Sequence, residues 1–461
     1  MSHAPLYELE QWLEKYNNFE KKPQKNMFAL ETMRFFCERF AQPHTAYKSV
    51  HVAGSKGKGS VCAFTACILQ KAGYRTGLYA SPHVCDIRER IKRPDSFFSD
   101  SEYLNNAQSF ITQAQQYIAG KPKQMNDPTW FELITLFAFV CFKNIGMDWA
   151  VFETGMGGRL DATNVIVPQI CALTPIELEH TKYLGTTEQA IAEEKAGIIK
   201  ENVPVCCARQ KPEVRTVFEK KAKQMHAPLL CIEDFIKSIG YKDNGSVLIE
   251  FEKTAPFERP ISTQLHMCGH VQAENAALAA LTVKIALPDV SETVIEQGLA
   301  AAVLPARFEV IQVCIQNKTI TVVIDGFHTP NSARRTLQTF YERFGCGSHL
   351  LFACAADKDS ESIAHIIKNS PCAFEHVTVT VPGSVKQSDY AKTLTDFNAC
   401  FDKQKLYGNK DYKNAVEYAL HHAAAHNKVL LAAGSFYLAA EVKKILAEIT
   451  PCAFDEQKPI Q

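Results

Sequence analysis

The sequence has no cysteine pair at CxxC spacing, no excess of either charge and no apolar run long enough to cross a bilayer. Each absence excludes something. Fifty Lys and Arg balance fifty Asp and Glu, so no global field gathers nucleic acid or anionic lipid, and an anionic ligand must be met by local cations. The sixteen cysteines are scattered, with only Cys206 and Cys207 adjacent. Without a secretory signal they read as small buried apolar residues in a reducing compartment rather than as a disulfide framework. The first stretch, MSHAPLYELEQWLEKYNN, is acidic and amphipathic and does not read as a signal peptide. Phe131 to Phe142 is apolar for only about a dozen residues, which suits a buried helix. Internal repeats and low-complexity tracts are also missing. What remains is a soluble, cytoplasmic globular chain of 461 residues, long enough for two domains.

What is present centres on Lys48 to Ser60, KSVHVAGSKGKGS. Ser49 to Ala53 is apolar and β-branched, the pattern of a buried strand. It runs into Gly54-Ser55-Lys56-Gly57-Lys58-Gly59-Ser60, after which Val61 to Ala72 has the composition of a helix. Glycines let backbone N–H groups turn toward an anion, and a helix N-terminus adds its positive dipole end. Lys58 would reach the outer phosphates and the Ser60 hydroxyl would suit Mg²⁺. The fit to GxxxxGK[ST] is imperfect, since Val52 and Gly59 stand where Gly and Ser or Thr are required. An ordinary strand–helix turn is the competing reading.

Two helices are expected first, over 6–20 (Leu6, Leu9, Leu13, Tyr16) and 27–41 (Phe28, Met33, Phe36, Phe40), closed by Pro43. Arg75 to Ser81 reads as a second strand, so residues 48–81 form a βαβ unit and predict a parallel sheet. Asp86 to Arg93, DIRERIKR, is either a solvated helical turn or a holder of a carboxylate-bearing substrate. Trp130–Asn144 should be a long apolar helix and Met147–Phe152 a buried strand ending in ETGMGGRLDATN, Glu153 to Asn164. A carboxylate at the carboxyl end of a parallel strand is well placed to hold a metal. Gln169–Thr174 is another strand, followed by His180, which is either a structural histidine or a ligand. Lys195, beside Glu193 and Glu194, is most simply the partner of a nearby acid.

Further strands are expected at 203–207 and 228–232, then a β-rich excursion over 240–268 with a turn at Asp243-Asn244-Gly245. Gly269–Ala286 should be a packed helix whose Asn275 points into a site or caps. The pattern restarts near Leu304-Pro305-Ala306, dividing the chain into domains 1–303 and 304–461. Strands at 319–324, 350–355, 375–381 and 428–432 alternate with helices and predict a second, smaller parallel α/β domain. The tail after Pro451 reads as loose.

In order and spacing, HVAGSKGKGS, GLYASPH with RERI, FETGMGGRLDATN, EHTKYLG, EKAGIIK, GHVQAENAALA, PARFEV, DGFHTPNSA, DKD and GSFYLAAEV resemble the folylpolyglutamate synthase/dihydrofolate synthase family of the Mur ligase superfamily. The resemblance runs from about residue 6 to 445. It implies a P-loop parallel-sheet ATPase domain followed by a smaller Rossmann-like domain. The activity it implies is an ATP-dependent amide ligase that joins L-glutamate to a folate, to dihydropteroate or to both. Gly54 to Ser60 would be the phosphate loop, and Ser60 with Glu153 would hold one Mg²⁺. His180 matches a ligand of a second ion, and Lys195 matches the superfamily's carbamylated lysine. Asn275, Arg307 and Asp325 match positions that contact the nucleotide from across a cleft. His328 matches a position associated with nucleotide or glutamate. Ser81, Pro82 and His83, with Arg159 and Asp161, resemble the folate side.

The sequence departs from the family at two places. Ser55-Lys56 replaces the common Thr-Asn, and DGFHTP replaces the usual DGAHNP, with Phe327 for Ala and Thr329 for Asn. Thr loses the amide's donor–acceptor pair. Residues 27–43 suit a bacterial bifunctional type, and a monomer is the family expectation. Two other readings compete. A muropeptide ligase is disfavoured because no nucleotide-sugar domain precedes the loop, and a silent folate- or nucleotide-binding relative would be marked by loss of Lys58, Glu153, His180 or Lys195. All four are present.

Overall fold

A computed structural model describes residues 6–18, 30–242, 245–384 and 387–449. Of the first two expected helices, Tyr7–Leu13 and Leu30–Arg39 are described. Residues 19–20 and 27–29, the Asp243-Asn244 turn and the tail after Pro451 lie outside the described residues. The chain divides into two compact units. The first runs to residue 303 but gives up 242–245 and 266–270, which group with 304 onward. Among the described residues no helix is long and apolar enough to cross a membrane.

The first unit is built on a sheet of β1 (Lys48–Ala53), β2 (Thr76–Tyr79), β3 (Ile91–Lys92), β4 (Trp149–Glu153), β5 (Ile170–Leu173), β6 (Val205–Cys207) and β7 (Leu229–Cys231). Their spatial order is β3-β2-β4-β1-β5-β6-β7. All neighbours are parallel except β3, which pairs antiparallel with β2. Strands covered on both faces do not alternate buried and exposed positions, and β1, β2, β4 and β5 are buried along nearly their whole length, the polar Ser49 and His51 of β1 included. Helix Trp130–Ile145 is capped by Thr129 with Glu132 reaching back, and it buries Leu133, Phe137, Phe139 and Phe142 in the same core as Phe152.

DIRERIKR is not a solvated helix. Asp86 caps a 3₁₀ turn over Ile87–Arg90, Ile87 and Arg90 are buried, and the chain continues directly into edge strand β3. The β-rich excursion is a three-stranded antiparallel sheet of β8 (Ile236–Tyr241), β9 (Ser246–Phe251) and β10 (Ile261–Gln264).

The second unit has a sheet of β11 (Glu309–Ile315), β12 (Lys318–Asp325), β13 (His349–Phe352), β14 (His376–Val379), β15 (Leu406–Gly408) and β16 (Leu430–Ala433), in the order β11-β12-β16-β13-β14-β15. Only β11 is antiparallel. The unit is α/β and its sheet parallel as expected, apart from β11; β11 and β15, which the sequence did not announce, are its two edges. Phe327, the departure from alanine, is buried in this unit's core, 6.3 Å between ring centroids from Phe352.

Candidate active site

The carboxyl ends of β2, β4, β1 and β5, four neighbours in the sheet, carry the segments singled out from sequence. From β1 the chain passes to β2 and β3 on one side, returns to place β4 between β2 and β1, and then crosses to β5 on the other side. Such a switch point opens a crevice above the strand ends.

Gly54 leaves β1 with φ 151°, and a Cβ there would lie 1.8 Å from Thr174 Oγ1 and 2.9 Å from the Thr174 carbonyl oxygen. Only glycine fits. The N–H groups of Ser55 and Lys56 donate to the Pro175 carbonyl at 3.0 and 3.2 Å, and Ser55 Oγ donates to the Glu177 carbonyl at 2.9 Å. The loop after β1 is thus tied to the segment after β5. Gly57, at φ 85°, caps helix Lys58–Lys71, whose first turn holds Lys58, Gly59 and the buried Ser60.

The Gly54 carbonyl accepts from two ammonium groups, Lys58 Nζ at 3.0 Å and Lys195 Nζ at 2.8 Å. Lys195 is 1% exposed and also donates to Glu179 Oε1 at 2.9 Å. An ion pair ordinarily raises a lysine. Here burial, then the like charge of Lys58, win against Glu179 and pull Lys195 from 10.5 to about 8. Burial by itself would push Glu179 up, but Lys58 and Lys195 hold it below the ordinary carboxylate range.

Sequence reading missed Glu179. Lys195 does have an acid, but it lies sixteen residues upstream rather than at Glu193 or Glu194. The signal was available. Helix Glu188–Ala196 places Lys195 one turn after the buried Ile191, so its amine had to be met by a carboxylate from elsewhere in the fold. Glu194 instead takes the Arg159 guanidinium, at 2.8 Å.

Glu153 ends β4 opposite Val52 of β1, is 5% exposed and accepts from the Ser81 N–H at 3.1 Å. A hydroxyl and a buried carboxylate flanking a phosphate loop are hard oxygen donors, the set that suits Mg²⁺. The fit of Ser60 and Glu153 to that ion is therefore good. His180 is exposed, has φ 46° and directly follows Glu179 at the start of the short helix Thr181–Leu184.

The Ser81–Pro82 peptide is cis. His83 Nδ1 accepts from Arg90 Nε at 2.9 Å, which leaves the imidazole proton on Nε2, and the buried Arg90 guanidinium lies 4.8 Å over the Trp130 ring. Glu89 accepts from the N–H groups of Val84, Cys85 and Asp86. These contacts tie the loop to its own 3₁₀ turn and to helix Trp130–Ile145. Arg159 and Asp161 are engaged elsewhere. Arg159 is held by Glu194, while Asp161 is buried and accepts from the Met156 N–H, the Thr163 N–H and Thr163 Oγ1. Their side chains hold the shape of the ETGMGGRLDATN loop.

Asn275 was expected to act from across a cleft. It lies in the first unit, within the expected domain 1–303, is 3% exposed and abuts the glycine loop, since a Cβ on Gly57 would lie 2.5 Å from Asn275 Oδ1. In the second unit, Asp325 accepts from the N–H groups of Phe308 and Phe327 and from Thr336 Oγ1. Burial pushes its pKa up while the Arg307 charge opposes the shift. Asp325 thereby fixes the loops that carry Arg307 and His328. Arg307 is exposed, with its guanidinium 4.6 Å over the Phe436 ring, and His328 packs edge-on against the same ring.

Thr329, the replacement for asparagine, caps helix Pro330–Phe344 through a reciprocal box with Ser332. Asn and Thr both cap well. Thr329→Asn should therefore leave Tm within about 2 °C and kcat/KM within about threefold, whereas Thr329→Ala should cost about 1 kcal/mol. A hundredfold gain in kcat/KM for Thr329→Asn would show the native site to be impaired.

The profile of the Mur ligase middle domain matches residues 52–283, and that of the Mur ligase glutamate ligase domain matches 306–436. They define the class as an ATP-dependent amide ligase of the Mur ligase superfamily. The chain is 28% identical to the dihydrofolate synthase/folylpolyglutamate synthase of Bacillus subtilis, over 94% of this chain and 97% of that one. It is 30% identical to the folylpolyglutamate synthase of Lacticaseibacillus casei, over 88% and 91%. The Mycobacterium tuberculosis folylpolyglutamate synthase complexed with ADP superposes with a TM-score of 0.83 at 25% identity, covering 96% and 98%. The chain belongs to the folylpolyglutamate synthase/dihydrofolate synthase family.

Proposed function

We propose that the protein joins L-glutamate to the carboxyl group of a reduced folate, of dihydropteroate or of both. The observation that carries this reading is the pair of lysines on the Gly54 carbonyl, beside a glycine loop at the head of a helix. A carboxylate is a poor electrophile. Attack of its oxygen on the γ-phosphorus of ATP gives an acyl phosphate and ADP. The glutamate amine then attacks the acyl carbon, loses a proton and expels phosphate, forming the amide. Lys58 gathers charge on the transferred phosphoryl group, and the helix N-terminus does the same through its N–H groups. Ser60 and Glu153 would hold Mg²⁺, and His180 with a carbamylated Lys195 a second ion; the metal supplies charge neutralisation at the phosphates. Ser81, Pro82 and His83 would bound the folate side. A cytoplasmic monomer is the working state.

The deciding experiment is glutamate-dependent ADP release, run in parallel with dihydropteroate and with a reduced folate. Release with both establishes a bifunctional ligase, and release with one names the single acceptor. Silence with both, from folded protein that binds ATP, supports the silent binding relative.

Carbamylation requires a neutral amine, which a lysine at about 8 supplies far more readily than one at 10.5. In decarbonated buffer near pH 7.5, kcat should fall several-fold and return with added bicarbonate, and the return should steepen as pH rises through 8. Turnover indifferent to bicarbonate would leave Lys195 as the ion-pair partner of Glu179 only. Stability follows the same sign. The unfolded chain keeps this proton up to 10.5 and the folded chain only to about 8, so stability gains as pH rises between the two.

A further inference from the structure

The other end of the second unit carries a cluster the ligase reaction does not use. His349 and His376 are the first residues of β13 and β14 and are partners in the parallel register. They lie at the amino-terminal edge of the sheet, whereas Asp325 ends β12 at the opposite edge. Helix Tyr412–Ala425 brings His422 in its last turn, and His426 follows at the C-cap. Four residues apart, these two side chains share one face of the helix end.

The ring centroids of His349 and His422 are 4.8 Å apart, those of His422 and His426 4.3 Å, and those of His376 and His422 4.0 Å. His349 Nδ1 and His422 Nδ1 approach to 3.3 Å, and one ring nitrogen from each of His349, His422 and His426 falls within 4.8 Å of the others.

A plain stack of neutral rings continuing to Tyr418 is the competing account. Three observations go beyond it. Nitrogens bound tetrahedrally to zinc at ~2.05 Å stand about 3.3 Å apart, the separation His349 and His422 already have. A helix C-terminus favours a cation. His376 is 8% exposed, yet its Nε2 is buried with no hydrogen-bond partner, an orphan beside the cluster.

We propose that His349, His422 and His426 form a binding site for a divalent transition metal of the zinc type, separate from the ligase centre. His349 is the fixed ligand, held in the sheet, while the exposed His426 closes the third position and leaves the fourth to water. Such an ion staples the end of helix Tyr412–Ala425 to the amino-terminal edge of the sheet and stabilises the second unit.

The test uses the full chain with Mg²⁺ in excess, titrated with Co²⁺ by visible absorption and with Zn²⁺ by calorimetry. The comparison proteins are His426→Ala, His422→Ala/His426→Ala and, as control, His421→Ala, whose side chain is exposed on the same helix. The wild type and the control should take up one more equivalent than the double variant, with the absorption of tetrahedral Co²⁺. His426→Ala, at an exposed position that folding tolerates, should bind at least about tenfold more weakly. Saturating Zn²⁺ should raise the wild-type Tm by roughly 5 °C and leave the double variant unmoved. Equal affinity of wild type and His426→Ala for this extra equivalent, or no saturable uptake by wild type at hundred-micromolar metal, overturns the site.

Discussion

Lys58→Ala should lower kcat about a thousandfold while leaving the far-UV spectrum unchanged and Tm within a few degrees. On the function proposed above, the loss is that of a fixed cation where negative charge would gather during phosphoryl transfer, a contribution of about 10²–10³ in rate for a single preorganised donor and more for a full charge. Folding is spared because Lys58 is half-buried and donates only to the Gly54 carbonyl, a bond that contributes about 1 kcal/mol. Its removal also lifts a like charge from Lys195, the second cause of that amine's lowered pKa. A second readout follows. The midpoint at which bicarbonate restores turnover should move to higher pH in a Lys58→Gln protein that keeps residual activity. Normal turnover by Lys58→Ala would remove the phosphate loop from the mechanism.

Gly54→Ala should be nearly as severe for nucleotide binding and far more severe for stability. Two penalties combine. The backbone at φ 151° is strained for any residue with a Cβ, and that Cβ would overlap Thr174. The rotatable Thr174 hydroxyl can move away, but its carbonyl oxygen, 2.9 Å from the new Cβ, cannot. We expect a loss of about 3 kcal/mol and at least a hundredfold weaker ATP binding, both measurable by thermal unfolding and calorimetry. Thr174→Ala in the same chain should recover only a minor part. Full recovery would mean that the hydroxyl overlap, rather than the backbone, sets the requirement for glycine.

Much of the fold was legible because the signals were local. β1, its glycine loop and the following helix are contiguous, and the long apolar helix Trp130–Ile145 announces itself by composition. What escaped was non-local. Nothing in residues 266–270 says that they group with a unit starting at 304, because that is decided by packing. Edge strands β11 and β15 lack the continuous apolar burial of the central strands. The same division holds at the site. Lys58 and Gly54 could be named from spacing, but Glu179 could not, since a buried lysine states that it needs an acid without stating which. Asn275 was named from its motif, but the motif did not tell that its side chain lies against Gly57 of the loop after β1. Asp161 and Asp325 are prominent in their motifs, yet in the structure their oxygens accept from backbone N–H groups and hydroxyls, those of Asp161 within its own loop and those of Asp325 from Phe308, Phe327 and Thr336.

One carbonyl oxygen, that of Gly54, joins residues 141 positions apart in the chain. It ties the glycine loop to the helix bearing Lys195, so the charge of Lys195 stands directly beside the loop and Lys58. While Lys195 is an ammonium, it repels Lys58. As a carbamate it would carry the opposite sign and attract the same group. Dissolved carbon dioxide would then act on this protein as a sign reversal beside the phosphates, a chemical signal read through one atom.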